Sequence, residues 1–171
     1  MKKIITTLIF FSAIVVKSQV AIGKQSVSNA SVSLEFADTE NKGLILPYIE
    51  DKNDILEDGT IFYDTADKKV KYKKDGGWFD LSLDTTGVVD LSIQTSKDEK
   101  MTAKTAIGIN GATDTVNGIL VLTDTDKAMI LPKVASPHLN IINPSTGMMV
   151  YDTTKRQLAV YNGTMWSFWK P

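Results

Sequence analysis

The sequence has no cysteine in its 171 residues. Disulfide bonds, thiolate metal sites and thiol nucleophiles are therefore excluded, as is a lipid attached through an N-terminal cysteine. Histidine occurs once, at His138, so a catalytic triad or a histidine metal site would lack most of its usual residues. A small chain without disulfides has to gain its stability from core packing, self-association or bound ions.

Long apolar runs are also rare, and the most marked one lies at the N-terminus. Residues 4–16 form an apolar stretch of thirteen residues, interrupted by three hydroxyl residues and preceded by Lys2 and Lys3. Val16 and Ser18 suit the −3 and −1 positions of a signal peptidase site, so residues 1–18 are predicted to be a signal peptide. An uncleaved anchor is the alternative, disfavoured because a membrane-spanning helix needs about 20 residues. The cleaved chain is then expected in the periplasm, on the outer surface or outside the cell, with no stable membrane span.

An excess of positive charge is absent as well. Cleavage would remove three lysines and leave 16 basic against 20 acidic residues, a net charge of −4. A mildly acidic chain has no bulk attraction for nucleic acid or anionic membranes, so no nucleic-acid partner is expected. With 43% hydrophobic and 23% charged residues, the composition is that of a folded globular protein.

What the chain does contain is an internal repeat, which joins residues 43–78 to residues 128–166. The Leu-Pro pair at 46–47 recurs 85 positions later, and the Tyr-Asp-Thr triplet at 63–65 recurs 88 positions later. We therefore predict two β repeats, at 19–83 and 104–171, joined by a connector at 84–103. The residues predicted to form the repeat core are Leu46, Pro47, Tyr63, Trp78, Leu131, Pro132, Tyr151 and Trp166.

The match extends upstream, where Ala21-Ile22-Gly23 aligns with residues 106–108 at an offset of 85. At the same offset Leu34 aligns with Ile119, and Phe36 aligns with Val121.

Each copy has the pattern of short strands joined by turns. Residues 32–36 alternate apolar and polar side chains, which predicts a half-buried strand. Residues 61–63 and 148–151 are apolar on both faces, so both faces must be covered. Asp64, Asp152 and the Asn162-Gly163 pair are typical turn residues. The expected fold is all-β, with two tandem β-meander or hairpin repeats and one helical turn at residues 54–57.

Aromatic and basic residues supply the strongest binding candidates. Trp169 and Tyr161 are the residues we expect in a glycan-binding face, because Trp169 has no aromatic counterpart in the first copy. Trp78 and Trp166 recur at the repeat spacing, which favours packing. The lysines at 68–74 are interpreted as solvent-facing charges that protect an edge strand from aggregation, with polyanion binding as the alternative.

Catalytic and metal sites have weak signals. His138 lies in the variable stretch of the second copy and is interpreted as an exposed loop residue. Asp124 and Asp126, with Asp38 and Glu40, are interpreted as turn residues, and a Ca²⁺ site is the alternative. No pair of carboxylates has the spacing that would single it out for glycoside hydrolysis. No cofactor and no enzymatic activity are expected.

The repeat resembles a module of exported proteins from Bacteroidetes-type bacteria. The residues that carry the resemblance are Lys42 to Pro47, Gly147 to Thr154, and Tyr161 to Trp166. The last two segments also resemble modules of phage tail fibres and tail spikes. The resemblance implies a fibre-like surface protein, and a trimer is the homo-oligomer it implies.

The leading hypothesis is thus a non-enzymatic exported structural or adhesive module that associates with itself. A carbohydrate-binding module of the cell envelope is the alternative, and a glycan or a surface protein is the partner that either adhesive reading would need.

Overall fold

The computed structural model describes residues 19–92, 94–98, 100 and 102–170. The predicted signal peptide lies outside these residues. Within them the chain forms β-strands and one short helical turn, so the predicted all-β fold is confirmed. No helix in this part of the chain is long and apolar enough to cross a membrane.

The strands follow the same order in both repeats. Those of the first are β1 (Val20–Ile22), β2 (Val32–Phe36), β3 (Leu44–Ile45), β4 (Tyr48–Ile49), β5 (Ile61–Asp64), β6 (Lys69–Lys74) and β7 (Gly77–Asp80). Those of the second are β8 (Thr105–Ile107), β9 (Leu120–Leu122), β10 (Ala128–Ile130), β11 (Lys133–Val134), β12 (Met148–Asp152), β13 (Gln157–Tyr161) and β14 (Trp166–Trp169).

The helical turn lies where the sequence did not predict one. The single described helix, α1, is Pro137–Asn140 in the second repeat, whereas residues 54–57 form turns and irregular backbone. The prediction for 54–57 is therefore wrong. The three-residue insertion of the second repeat falls in the loop that holds α1, and Pro137 at the start of the turn has a φ angle suited to a helix.

Each repeat ends in a meander with an identical register. Strands β4, β5, β6 and β7 form one sheet, and β11, β12, β13 and β14 form another. Tyr63 opposes Val70 in the first meander, and Tyr151 opposes Leu158 in the second. Both meanders thus place residues 88 positions apart at equivalent positions in the strand register, as the repeat predicts.

The two repeats exchange strands and are not separately folded units. Strand β10 of the second repeat pairs in parallel with β2 of the first. In return, β3 of the first repeat pairs in an antiparallel sense with β12 of the second. The Leu-Pro segments carry the chain from these exchanged strands into β4 and β11, which each pair within their own repeat.

The upstream strand pairs correct the alignment by one residue. Val20 opposes Leu34 in the parallel pair β1–β2, whereas the equivalent Thr105 opposes Leu120 in β8–β9. Leu120 therefore takes the place of Leu34 and Leu122 that of Phe36, so the alignments of Leu34 with Ile119 and of Phe36 with Val121 are both wrong. The separation between paired residues is one residue longer in β8–β9 than in β1–β2, and a shift of one residue moves a side chain to the other face of a strand.

The core consists of two clusters on opposite faces of the second meander. The first cluster lies between the two meanders and contains Leu46, Tyr63, Val70, Leu81, Met149 and Val160. The second lies on the outer face of the second meander and contains Val134, Ile141, Met148, Val150 and Ala159. The strands predicted to be covered on both faces are so: Phe62 and Tyr63 are both buried, and so are Met149 and Val150.

Strand β2 is more deeply buried than its alternating pattern predicts. Ser33 and Glu35, assigned to its polar face, are 0% and 2% exposed. The half-buried interpretation is therefore wrong, because β1 and β10 flank β2 on both edges and the loop at 24–28 covers Glu35. This carboxylate accepts hydrogen bonds from Lys24 Nζ at 2.7 Å and from the Ser28 backbone N–H at 2.6 Å.

Candidate functional site

The candidate site is the surface through which one repeat contacts the other. Two of the four predicted repeat-core residues of the first copy lie in it: Leu46 is 7% exposed and Tyr63 is 0% exposed. The Tyr63 hydroxyl donates to the carbonyl of Asn162 at 3.0 Å, so it links the two copies directly. Burial raises the pKa of Tyr63 to about 12, with Tyr48 and Asp64 adding to the shift.

The prolines of the repeat act through their carbonyl oxygens. Pro47 accepts the backbone N–H of Tyr63 at 2.9 Å, and Pro132 accepts that of Tyr151 at 2.9 Å. Proline has no N–H to donate, so Pro47 and Pro132 take part in strand pairing through their carbonyl oxygens alone.

The tryptophans of the repeat pack on the outer faces of the meanders. Trp78 meets the ring of Phe62 edge-on at 5.2 Å, and the ammonium of Lys73 lies 4.5 Å from its centroid. Trp166 lies 5.2 Å from the ring of Tyr161. Both tryptophans are half-buried, which agrees with a packing role.

Two aspartates close the turns that follow β5 and β12. Asp64 Oδ1 accepts the N–H groups of Ala66 and Asp67 at 3.0 and 3.1 Å. Asp152 Oδ1 accepts those of Thr154 and Lys155 at 2.9 and 3.3 Å.

The third partner differs between the repeats. Asp64 Oδ2 binds Lys52 Nζ at 2.5 Å, whereas Asp152 Oδ1 accepts the Ser136 N–H at 3.1 Å. Burial tends to raise the pKa of Asp152, but the N–H groups of Lys155, Ser136 and Thr154 outweigh it, so the pKa is lowered.

Asn162 is a buried link between the connector and the second repeat. Its side-chain oxygen accepts the N–H groups of Thr164 and Met165, and its amide donates to Asp84. The next residue, Gly163, has φ of 103°, and a Cβ at this position would lie 2.3 Å from the carbonyl oxygen of Val88. The start of the predicted connector is thus docked on the Asn-Gly turn.

The lysines at 68–74 do not lie on an edge strand, and among them Lys71 and Lys73 are buried while Lys68 and Lys74 are exposed. Strand β6 is internal to its sheet, between β5 and β7. Lys71 is 6% exposed and lies 2.6 Å from Asp80 and 2.8 Å from Asp67. Hydrogen bonds from Lys71 and Lys52 lower the pKa of Asp67 to about 2. Cross-strand ion pairs of Lys69 and Lys71 with Asp80 replace the predicted edge protection.

The two predicted glycan-binding residues lie on opposite faces of their sheet. Tyr161 packs with the outer cluster and Trp169 packs with the inner one. The Trp169 indole N–H donates to the Leu81 carbonyl, and its ring lies 5.3 Å from Phe79. The two side chains therefore cannot form a shared platform, and glycan binding by either alone stays a prediction.

The remaining polar candidates have ordinary partners. His138 is exposed in α1 with its ring 5.6 Å from Phe168. Asp124 binds Lys127 Nζ at 2.9 Å and the N–H of Ile109 at 2.9 Å. Asp38, Glu40 and Asp126 are exposed. Among the described residues no group of three or more acidic, histidine or cysteine side chains could hold a metal ion.

An open apolar groove on the second repeat was not predicted. It is lined by Leu131, Tyr151, Arg156, Gln157, Leu158, Trp169 and Lys170. Tyr151 is 37% exposed in it. The sequence signals this groove only through the repeat offsets, which align its apolar residues with apolar residues of the first repeat.

Comparison with known proteins gives one family. Residues 108–170 match the family model described as the phage tail like trimerisation region. Neither a curated protein nor a solved structure matches the chain. The match supports the resemblance to phage tail-fibre modules over the second repeat, whereas the resemblance to exported Bacteroidetes-type proteins stays a prediction.

Proposed function

We propose that this chain is a non-enzymatic structural module that forms trimers in a fibre-like assembly. The family match over residues 108–170 carries this proposal. The open groove supports it, because its apolar residues Leu131, Tyr151, Leu158 and Trp169 give a second chain a recess to contact.

The buried acidic residues support a structural role. Glu35, Asp64 and Asp152 are each no more than 2% exposed. Backbone N–H groups and lysines bind all three carboxylates. These are the groups that a hydrolase would use as acid or base, and here they hold turns and strands in place.

The surface location rests on the predicted signal peptide. The chain would leave the cytoplasm, lose residues 1–18 and assemble from residue 19 onward.

The exported, processed chain tests the proposal. Multi-angle light scattering after size exclusion should give three times the mass of one processed chain at about 10 µM. A single-chain mass at that concentration, with a native β-rich circular dichroism spectrum, would contradict trimer formation. Mass spectrometry of the same sample should place the N-terminus at Gln19, and a retained leader would contradict cleavage.

Adhesion is the finer part of the proposal, and a glycan is its candidate ligand. Tyr161 lies on the opposite face of the sheet from the groove, beside Trp166, and aromatic rings can stack on sugars. A glycan array that compares the wild-type chain with Tyr161→Ala tests it. Binding that is lost in the variant supports a glycan ligand, and equal binding or none contradicts it.

A further inference from the structure

The open groove of the second repeat has a closed counterpart in the first. The groove residues Leu131, Tyr151, Leu158 and Trp169 stand 85 or 88 positions after Leu46, Tyr63, Val70 and Leu81. These four residues of the first repeat are between 0% and 7% exposed. The same surface is therefore filled in the first repeat and only partly covered in the second, where Tyr151 is 37% exposed and Leu131, Leu158 and Trp169 are half-buried against the inner cluster.

The second repeat itself fills the surface of the first. Met149 and Val160 pack against Tyr63, Val70 and Leu81 in the inner cluster. A Cβ on Gly147 would lie 3.3 Å from the Tyr63 Cβ. The contact is close. It joins the surface around Tyr63 in the first repeat to the surface around Met149 in the second, and these two surfaces are not equivalent in the repeat.

The first repeat carries the counterparts of the covering residues. Ile61 and Tyr72 stand 88 positions before Met149 and Val160. They are half-buried at the margin of the inner cluster, whereas Met149 and Val160 are 2% and 0% exposed. We call Ile61 and Tyr72 the ridge, and they have the position needed to fill a groove like that of the second repeat.

The strand edges repeat this asymmetry. Strand β2 has β1 on one edge and β10 on the other. Strand β9 pairs only with β8 among the described residues, which leaves Leu120 43% exposed where the equivalent Leu34 is 1% exposed. A two-stranded sheet is at best marginally stable in water, so a third strand is expected on β9.

The missing strand has a counterpart within the chain. Strand β10, which covers β2, corresponds to β3 of the first repeat. Within the described residues β3 pairs only with β12. Its other edge therefore has no partner strand among the described residues, and Ile45 in β3 is 41% exposed.

The rim of the groove is basic, and the rim of the ridge carries two exposed aspartates beside the exposed Lys74. Arg156 and Lys170 lie at the groove. Asp58 and Asp75 are exposed near the ridge, where Asp58 Oδ1 accepts the Gly76 N–H at 3.2 Å. Opposite charges at the rims of two surfaces favour their correct orientation.

We propose that copies of this chain join by repeating its internal contact between repeats. The ridge of one copy fills the groove of the next, and β3 of that copy pairs in parallel with β9. The contact joins two different surfaces and so forms a ring when its rotation closes. The inference rests on the proposed trimer and specifies which surfaces its chains use.

The internal pairing predicts the register between copies. Met129 opposes Leu34 and Ile130 opposes Glu35 in the chain. The equivalent pairs between copies are Leu44 with Leu120 and Ile45 with Val121. Because the native chain has no cysteine, a disulfide can report this register without background.

The test uses Ile45→Cys and Val121→Cys as separate single variants. After joint unfolding, refolding and mild oxidation, the mixture should give a disulfide-linked dimer of one Ile45→Cys chain with one Val121→Cys chain. Each variant alone should give less than about a tenth of that product. Efficient cross-linking of Ile45→Cys with itself would overturn the inference, because it needs a symmetric contact.

The mass of the native assembly distinguishes the proposed trimer from the proposed contact surfaces. A trimer without the mixed disulfide would overturn the proposed surfaces and leave the trimer standing. A chain that is monomeric under all conditions would overturn both.

A matched pair of substitutions tests the groove. Tyr151→Asp places a charge in the groove, and Phe168→Asp places one at an equally exposed site on the opposite face, since Tyr151 and Phe168 are 37% and 39% exposed. Tyr151→Asp should raise the concentration of half-dissociation at least about ten-fold with the circular dichroism spectrum retained. The Phe168→Asp variant should change it less than about two-fold. Equal effects of the two substitutions would overturn the role of the groove.

Discussion

The outer faces of the two meanders share a backbone register and differ in chemistry. Lys71 opposes Asp80 in the first repeat, and their side chains form an ion pair at 2.6 Å. The equivalent residues of the second repeat are Ala159 and Phe168, which oppose each other in the same register. The backbone pairing of the strands therefore does not depend on which side chains lie on the outer face.

Both repeats keep the same turns and the same hydrogen bonds to the proline carbonyl oxygens. Lys68 and Arg156 stand 88 positions apart with positive φ angles of 59° and 56°. The turn aspartates precede them in both repeats. Turn geometry fixes the register of a hairpin, so these turn residues define the fold. The side chains on the faces of the sheets can then differ between the repeats, either contacting solvent or packing against other residues.

The largest expected effect is a difference in stability between substitutions of the equivalent residues Tyr63 and Tyr151. Tyr63→Ala should lower the free energy of unfolding by about 3–5 kcal/mol, the usual cost of removing a buried aromatic side chain. Tyr151→Ala should cost less than about half of that in a urea titration, because Tyr151 is 37% exposed. It should weaken association instead. Equal losses of stability would break the distinction between the filled and the open surface.

The turn aspartates come next. Asp152→Ala leaves three backbone N–H groups without their acceptor, so the free energy of unfolding should fall by about 3 kcal/mol. Asp152→Asn keeps an acceptor oxygen and should cost about 1 kcal/mol in the same urea titration. If both substitutions cost the same, the carboxylate charge and not the hydrogen bonds would hold the turn.

The glycines of the two hairpin turns offer a smaller contrast. Gly76 and Gly163 have φ of 70° and 103°, but a Cβ meets nothing within 4 Å at Gly76 and the Val88 carbonyl oxygen at Gly163. Gly76→Ala should cost about 1 kcal/mol from backbone strain alone. Gly163→Ala should cost about 2 kcal/mol or more, because the connector must also move. Thermal unfolding of both variants checks the difference, and equal costs would mean that the connector is not docked there.

The smallest effect is a pH dependence that belongs to the first repeat. Hydrogen bonds from Lys24 and Ser28 lower the pKa of Glu35 from 4.5 to about 2, and the equivalent position in β9 is Val121. The stabilisation by the carboxylate is complete above pH 4.5 and is lost as the pH falls towards 2.

The variant Glu35→Gln isolates this contribution. The wild-type chain should exceed it in stability by about 1–2 kcal/mol at pH 6. The difference should shrink steadily between pH 4.5 and pH 2 in urea titrations. A difference that does not change over this range would contradict the ion pair.

The local part of the fold could be predicted from the sequence, because turns carry strong local signals. The meanders, the turns at Asp64, Asp152 and Asn162, and the double-sided burial of β5 and β12 follow from residue type and spacing. These features depend on neighbours a few positions away.

The exchange of strands between repeats could not be predicted in this way. Strands β3 and β10 have similar apolar sequences, yet β3 pairs with β12 and β10 pairs with β2. The alternation of apolar and polar residues along a strand does not show which other strand it pairs with. The burial of Glu35 was missed for the same reason, since it depends on β10 and on Lys24 eleven positions away.

The candidate site was only partly accessible to sequence reasoning. The repeat-core residues were found by their offsets, but the offsets also suggested equal roles for Tyr63 and Tyr151. Only the structure shows that one is buried and the other is exposed. Trp169 was singled out because it has no aromatic counterpart, and its counterpart by position is Leu81, a buried residue of the inner cluster.

Hydrogen–deuterium exchange on the native chain, as a function of concentration, tests the central claim without any substitution. Amide protection of residues 118–122 and 59–61 should rise as the chain assembles, while protection of residues 32–36 should stay constant because β10 already covers them. Constant protection of 118–122 and 59–61 during assembly would contradict the account, since neither the β9 edge nor the ridge would then meet another chain.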